Sequence, residues 1–133
     1  FHEVLVVVAE NRQKKCLFSA EERISMVRTL VQPWKNVSVA LCDILIVDFL
    51  RERDIRILLR GVRNLGDFSY ELELSMMNKA LCSSVETLFL TAQPEFFILR
   101  SSTIKELASF HGDISGMVPP LVAEALKEKY PEH

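Results

Sequence analysis

The sequence predicts an α/β fold built on a doubly wound parallel sheet with helices on both faces. Three observations point to this class: strand-like and helix-like segments alternate, the loops between them are short, and the strand-like segments are continuously apolar. A strand whose polar and apolar residues do not alternate is typically buried on both faces, as in a parallel sheet. We expect one domain spanning residues 1–133.

The first half of the chain alternates strand and helix. Residues 4–9 form a run rich in β-branched side chains, which predicts the first strand. Ser19 and Glu22 then have the spacing of a capping box, and apolar residues recur at helical spacing as far as Pro33. The next predicted elements are a strand at 37–41, a short helix at 46–53, and a strand at 55–59 that ends at Arg60-Gly61.

The second half is predicted to contain three helices and one strand. Asp67 is suited to cap a long helix that extends to about Leu81 and carries two apolar faces, for which we expect two packing partners. We interpret Met76 and Met77 on this helix as core residues. Downstream we expect a strand at 85–91, a helix whose start has a capping box between Thr103 and Glu106, and a last helix from Pro119 through 129.

Composition excludes several classes of protein. Apolar residues make up 49% of the chain and charged residues 26%, which excludes a disordered or fibrous protein. The net charge of −2 provides no general basic field for duplex nucleic acid or an anionic membrane, so we expect neither partner. No apolar run approaches the roughly 18 residues of a membrane span. The three cysteines have no metal-ligand spacing, which fits a reducing cytosol.

Basic residues are concentrated in the loops that follow the predicted strands. In a doubly wound sheet, ligands bind outside the carboxyl ends of the strands, where these loops begin. Glu10 and Glu95 are the acids in the loops that hold the bases. We call the bases the basic loop cluster; they are Arg12, Lys14, Lys15, Arg60, Arg63 and Arg100. Such a concentration in a slightly acidic chain predicts a local site for a polyanion.

The segment at Ser101 and Ser102 adds to this site. A helix that starts there offers unpaired backbone N–H groups and the positive end of a helix dipole, which suit a phosphate. Simple capping of the helix is the alternative. The chain has four glycines and neither a Walker loop nor a G-x-G-x-x-G motif, so we expect side chains and one helix end to hold the phosphates.

Arg60 and Arg63 flank Gly61 directly after a predicted buried strand, which favours a binding role. A structural ion pair with Asp67 or Glu71 is the alternative. The three histidines show no ligand spacing, and we assign no residue to metal binding or to nucleophilic catalysis.

A family resemblance rests on three segments. The segment Arg60-Gly61-Val62-Arg63-Asn64-x-x-Asp67-Phe68-x-Tyr70-Glu71, followed by Met77-Asn78, closely resembles the phosphopantetheine adenylyltransferases. Lys14-Lys15-x-x-Phe18-x-x-Glu21-Glu22-Arg23 is similar to the segment that follows an early strand in that family. Ser101-Ser102-Thr103-Ile104-Lys105-Glu106 is similar to an S-S-T/S-x-x-K/R-E element of nucleotidyltransferases. The likeness extends from Phe1 into the last helix.

The resemblance implies a Rossmann-like fold of the nucleotidyltransferase type and a reaction. An adenylyl group would pass from ATP, with Mg²⁺ as its cofactor, to 4′-phosphopantetheine, giving dephospho-coenzyme A and pyrophosphate in coenzyme A synthesis. The resemblance also implies a cytoplasmic homohexamer that binds coenzyme A compounds.

The resemblance implies site residues by position. Contacts to phosphopantetheine fall on Lys14, Ile46 and Arg60. Contacts to ATP fall on Gly61, Val62, Arg63, Glu71, Phe96, Phe97, Ile98, Leu99, Arg100, Ser101 and Ser102. We assign catalytic roles to Lys14, bridging the acceptor phosphate and the α-phosphate, and to Arg63, on the pyrophosphate side. Arg100 and Phe96 depart from the small hydroxyl residue and the Trp more usual in the family.

One part of the family pattern does not occur in these 133 residues. It is a first strand, a turn with T-F-D-P, and a helix beginning T/H-x-G-H, and the resemblance implies that the histidine of this motif stabilises the transition state. We expect the sequence to lack this N-terminal piece. Two alternatives remain open: a related adenylyl- or cytidylyltransferase with another acceptor such as nicotinamide mononucleotide, and a non-catalytic module that binds a nucleotide or coenzyme A.

Overall fold

The computed structural model describes residues 1–11 and 13–131, and strands and helices alternate along them. The elements are β1 (Val4–Ala9), α1 (Ala20–Val31), β2 (Val37–Cys42), α2 (Ile46–Glu52), β3 (Ile57–Val62), α3 (Leu65–Leu81), β4 (Glu86–Thr91), α4 (Ser101–Ser109) and α5 (Pro120–Lys129), with a 3₁₀ turn at Pro94–Phe96 between β4 and α4. Strands β1 and β2 pair in parallel, as do β3 and β4. The predicted α/β class with parallel strands is confirmed.

The chain divides into two compact units, each with one of these strand pairs. The first unit contains Phe1–Asp43 and Leu99–His133, and the second contains Ile44–Ile98. The register of the first pair runs from Val4 beside Val37 to Ala9 beside Cys42. That of the second pair runs from Ile57 beside Glu86 to Val62 beside Thr91. The expectation of one domain over residues 1–133 stays a prediction.

Helix α1 of the first unit begins with the predicted capping box. Glu22 N–H donates to Ser19 Oγ at 3.1 Å, and Ser19 N–H donates to Glu22 Oε2 at 2.7 Å. Lys129 at the end of α5 donates to the other Glu22 oxygen at 2.7 Å. The core of this unit contains Ile104, Ala108, Ile114 and Leu126. Helix α4 is therefore fixed by its apolar face against α5 and the loop between them.

The second unit is centred on α2. Val47, Phe49 and Leu50 are between 1% and 2% exposed. The Arg53 guanidinium lies 3.8 Å above the centre of the Phe49 ring. In the same unit, the rings of Phe68 and Phe89 meet edge to face with centroids 5.3 Å apart, which joins α3 to β4.

Two predicted boundaries around α3 are wrong. Strand β3 continues through Val62 instead of ending at residue 59, so Arg60 and Gly61 are strand residues. Helix α3 begins at Leu65, and its N-cap is Asn64, whose backbone is extended and whose Oδ1 accepts the Asp67 N–H at 2.9 Å. Asp67 is consequently in the first turn of α3, where its carboxylate is available to another partner.

The predicted capping box at Thr103 is also wrong. Helix α4 begins at Ser101, with Arg100 as an N-cap that makes no side-chain hydrogen bond to the helix. Because the helix begins two residues before Thr103, that residue is already helical and cannot serve as the cap. Ser101 and Ser102 therefore occupy the first two positions of α4, as the phosphate hypothesis requires.

The interpretation of Met76 and Met77 as core residues is wrong for the unit in which they lie. They are 66% and 60% exposed, and α3 has no buried residue. The apolar period of α3 shows which faces are apolar but not what covers them.

In the part of the chain that the structure describes, no helix is both long enough and apolar enough to cross a membrane.

Candidate active site

Arg60 of β3 and Glu71 of α3 form a two-point ion pair. Arg60 Nε donates to Glu71 Oε2 at 2.7 Å, and Arg60 Nη2 donates to Oε1 at 2.6 Å. The side chain of Glu71 is only 11% exposed, whereas that of Arg60 is 44% exposed. Hydrogen bonds to Glu71 raise the pKa of the Arg60 guanidinium above its ordinary value, because they stabilise its charged form. The guanidinium of Arg60 is therefore a cation held in one orientation.

Arg63 forms a second pair, with Asp67. Arg63 Nε donates to Asp67 Oδ2 at 2.8 Å, and the backbone N–H of Arg63 donates to the same oxygen at 3.4 Å. Asp67 and Glu71 lie one turn apart on the same face of α3. The structural pairs that were the alternative interpretation of the arginines are thus present. They do not exclude the implied ligand contacts, which stay predictions, because a carboxylate can orient a guanidinium that also binds a phosphate.

The two residues between these arginines differ in exposure. A Cβ placed at Gly61 would have no heavy atom within 4 Å, so the strand backbone there is open to close approach. Val62 is 8% exposed, so its side chain belongs to the core of the unit. Any contact between Val62 and a nucleotide would therefore be made by its backbone. The glycine is the residue of the two that leaves room for a ligand.

The remaining implied residues of the second unit offer apolar surface. Ile46 is the first residue of α2 and is half-buried. Phe96, Phe97 and Ile98, in and after the 3₁₀ turn, are 49%, 53% and 71% exposed. Exposed aromatic residues so close together are suited to an apolar or aromatic part of a ligand.

In the first unit, the loop after β1, the first two turns of α4 and the end of α5 line an open cavity of about 460 Å³. Its lining residues are Lys15, Cys16, Leu17, Ser102, Lys105, Glu106 and Tyr130. Within residues 1–11 and 13–131, the side chains of Lys15 and Lys105 form no ion pair. Two lysines without an ion pair, against the one acid Glu106, give the lining an excess of positive charge near the start of α4, which suits an anion.

The other predicted site residues of the first unit are close in sequence to residues that line this cavity. Lys14 is exposed in the turn after β1, where its backbone N–H donates to Asn11 O at 3.0 Å. Leu99 packs against the core of the unit, and Arg100 and Ser101 are exposed at the start of α4. Arg12 of the basic loop cluster lies outside the described residues.

Lys105 is a cavity residue that the sequence interpretation quoted within the S-S-T/S-x-x-K/R-E element but did not assign to the site. The signal was present, because Lys105 follows Ser102 by three residues and so shares its face of α4. The expectation that Lys14, Arg63 and the Ser102 amide meet around one ligand stays a prediction.

Comparison with known proteins decides the family. The model of the cytidylyltransferase-like family matches residues 1–107. A phosphopantetheine adenylyltransferase from Thermobifida fusca is 45% identical over 130 residues, which cover 98% of this chain and 79% of the relative. The chain belongs to the phosphopantetheine adenylyltransferase family.

Further members of the phosphopantetheine adenylyltransferase family are similar over the same span. One from Heliobacterium modesticaldum is 43% identical, covering 98% of this chain and 77% of the relative. Another from Thermotoga neapolitana is 42% identical over 132 residues, covering 99% of this chain and 82% of the relative. Because the matches run over nearly the whole chain, both compact units of this family member are included. The family resemblance expected from the sequence is confirmed.

Proposed function

We propose that this protein transfers the adenylyl group of ATP to 4′-phosphopantetheine, giving dephospho-coenzyme A and pyrophosphate in coenzyme A synthesis. The observation that carries the proposal is the 45% identity, over 98% of the chain, to the phosphopantetheine adenylyltransferase of Thermobifida fusca. The cations and the helix start described above supply groups that such a reaction between two polyanions requires.

The reaction is an in-line displacement at the α-phosphorus. An oxygen of the acceptor phosphate forms the new P–O bond, and the bond to the pyrophosphate leaving group breaks. The attacking phosphate is already ionised near neutral pH, so the step needs no protein base and no covalent nucleophile. The protein's task is to align the two anions and stabilise the charge that develops between them.

Lys14 and Arg63 are the residues to which we assign this task. Lys14 would lie between the acceptor phosphate and the α-phosphate, reducing the repulsion between them. Arg63 would bind the pyrophosphate side, where negative charge grows as the bond breaks. Arg63 is supported in this role by its pairing with Asp67, at 2.8 Å, which limits the orientations of its guanidinium.

The start of α4 would supply further contacts to the ATP phosphates. Ser101 and Ser102 occupy its first turn, and Lys15 and Lys105 line the adjoining cavity of about 460 Å³. We write the nucleotide as MgATP, in which the ion is bound by the phosphates and enters with the substrate. The described residues contain no group of three or more His, Cys, Asp or Glu placed to hold a metal ion.

The second unit would contribute to both substrates. Arg60 would contact the phosphate of phosphopantetheine. Ile46 would contact the apolar part of the same substrate. Glu71, the open backbone at Gly61 and the exposed segment Phe96–Ile98 would contact ATP.

We further propose a cytoplasmic homohexamer that binds coenzyme A. The exposed apolar side chains of α3, including Met76 at 66% and Met77 at 60%, support association between copies, because a lone chain rarely leaves such a face in water. Light scattering coupled to size exclusion tests this proposal. A mass six times that of the chain supports it, and a monomer or dimer would contradict it.

The activity is tested with the full-length protein and a panel of substrates. Pyrophosphate and dephospho-coenzyme A are measured with MgATP and phosphopantetheine, with CTP as the control nucleotide and nicotinamide mononucleotide as the control acceptor. We expect both products only with MgATP and phosphopantetheine. Turnover with a control substrate alone would indicate a related transferase, and binding of both substrates without pyrophosphate release would indicate a non-catalytic module.

A further inference from the structure

We propose that Asp67 is a positioning residue that sets the orientation of Arg63 for adenylyl transfer. The proposal rests on the proposed function and extends it, because Asp67 contributes through Arg63 and not through a contact of its own with substrate. It is drawn from the geometry at the junction of β3 and α3.

Asp67 binds Arg63 at several points. Arg63 Nε donates to Oδ2 at 2.8 Å, Nη2 lies 3.4 Å from Oδ1, and the Arg63 backbone N–H lies 3.4 Å from Oδ2. The carboxylate therefore holds both the backbone from which the side chain starts and one edge of the guanidinium at its end. Four rotatable bonds lie between these two points, and the pair restricts them together.

Asp67 is itself anchored. Its backbone N–H donates to Asn64 Oδ1 at 2.9 Å, and its side chain lies in the first turn of α3, where the helix dipole favours a carboxylate. The side chains of Arg63 and Asp67 are each 28% exposed, so water competes with their pairing less than it does at an open surface. The direction of Arg63 is thereby tied to the start of a 17-residue helix.

A cation that stabilises developing charge must already face the place where the charge appears. Loss of Asp67 would leave the charge of Arg63 in place but release its orientation. Ground-state binding of the pyrophosphate part depends on charge and would change little, whereas the transition state depends on direction. A lower kcat with nearly constant KM is therefore the signature of a positioning role.

The test is a double-mutant cycle in the full-length protein. We expect Asp67→Asn to lower kcat for dephospho-coenzyme A formation about tenfold, with KM for each substrate within about twofold of the parent. In an Arg63→Ala background, the same change should alter kcat by less than about twofold, because the residue that it orients is gone. Asp67→Glu, which keeps the carboxylate, should recover kcat to within about threefold of the parent.

Asp48→Asn is the matched control. Asp48 lies in the first turn of α2 and pairs with Arg51 at 2.7 Å, so the change again removes one first-turn carboxylate from an ion pair with an arginine. We expect its kcat to stay within about twofold of the parent. Thermal unfolding of each variant shows whether it is folded. If Asp67→Asn does not fold, Asp67→Ser, which also removes the carboxylate, carries the same cycle, and its loss of kcat must disappear in the Arg63→Ala background.

Two results would overturn the role of Asp67 while leaving the proposed function intact. One is a folded Asp67→Asn protein, or a folded Asp67→Ser protein where Asp67→Asn does not fold, that keeps the kcat of the parent. The other is an effect of the Asp67 change that is as large in the Arg63→Ala background as in the parent, which would show that Asp67 acts independently of Arg63. A parent protein that releases no pyrophosphate would instead overturn the proposed function itself, and the role of Asp67 with it.

Discussion

Arg60 and Glu71, which the family resemblance assigns to different substrates, are bound to each other at 2.6 and 2.7 Å. Arg60 is expected to contact phosphopantetheine and Glu71 to contact ATP. The ion pair therefore links a residue for the acceptor to a residue for the nucleotide within one unit. A substitution at either residue should therefore change KM for both substrates.

Glu71→Gln tests this link. The amide cannot hold the guanidinium of Arg60 at two points as the carboxylate does, so Arg60 loses its fixed direction. We expect KM for phosphopantetheine and KM for ATP to rise together, each about five- to tenfold. Steady-state kinetics with each substrate varied in turn provide the measurement. An increase in KM for ATP alone would show that the pair does not couple the two substrates.

Lys105→Ala tests the cavity beside α4. Removing one of the two ammonium groups that line it should weaken MgATP binding about tenfold, since a charge-assisted contact to phosphate would be lost. Isothermal titration with a non-hydrolysable ATP analogue measures the effect, and Lys127→Ala on α5 is the control. Equal affinities for the parent and Lys105→Ala would remove the cavity from the ATP site.

The lowered pKa of Glu22 predicts how the stability of the fold depends on pH. The hydrogen bond from Lys129, followed by that from the Ser19 backbone, lowers the pKa of Glu22 below its ordinary value of 4.5. Since the folded pKa is the lower one, this stabilisation is present above pH 4.5 and is lost as the pH falls through the folded pKa.

Glu22→Gln should therefore reduce the loss of thermal stability between neutral and acidic pH. Melting temperatures at pH 7 and at about pH 3 provide the comparison. Glu124→Gln on α5 is the control, because Glu124 forms no ion pair in the described part of the chain. If Glu22→Gln and Glu124→Gln changed the acid dependence equally, the contact between α1 and α5 would have no part in it.

Phe49 is expected to be a main determinant of stability in the second unit. It is 2% exposed, and its replacement by Ala leaves a cavity in the core, so we expect a loss of about 3–5 kcal/mol in the free energy of unfolding. Phe110, which is 79% exposed, is the control, with an expected loss below about 0.5 kcal/mol. Urea denaturation measures both, and a similar loss for the two variants would be inconsistent with the described packing.

Features encoded by neighbouring residues were predicted well. The α1 capping box needs only Ser19 and Glu22, and both hydrogen bonds are present. The strand segments were found because each is a short run rich in β-branched or other apolar residues that is bounded by turn-forming residues. The start of α3 was missed because Asn64 and Asp67 are both acceptable caps, and the partner that Arg63 offers to Asp67 settles the choice.

Features that depend on tertiary contacts were harder to predict from the sequence. The sequence named Asp67 and Glu71 as possible partners for the two arginines but not which pairs form, since that choice depends on β3 extending to Val62. The burial of Met76 was predicted wrongly because an apolar face alone does not identify what covers it. Lys105 was named in a motif but not assigned to the site, because its position beside the loop after β1 is visible only in the structure.

The central claim is that Lys14 and Arg63 accelerate the reaction by their charge and position alone. Its most direct test is kcat/KM for dephospho-coenzyme A formation by full-length Lys14→Ala and Arg63→Ala, with Lys35→Ala in the loop after α1 as the control. We predict a fall of roughly 10²–10³ for each of the first two variants and little change for the third. Values within a few-fold of the parent for Lys14→Ala or Arg63→Ala would contradict the account.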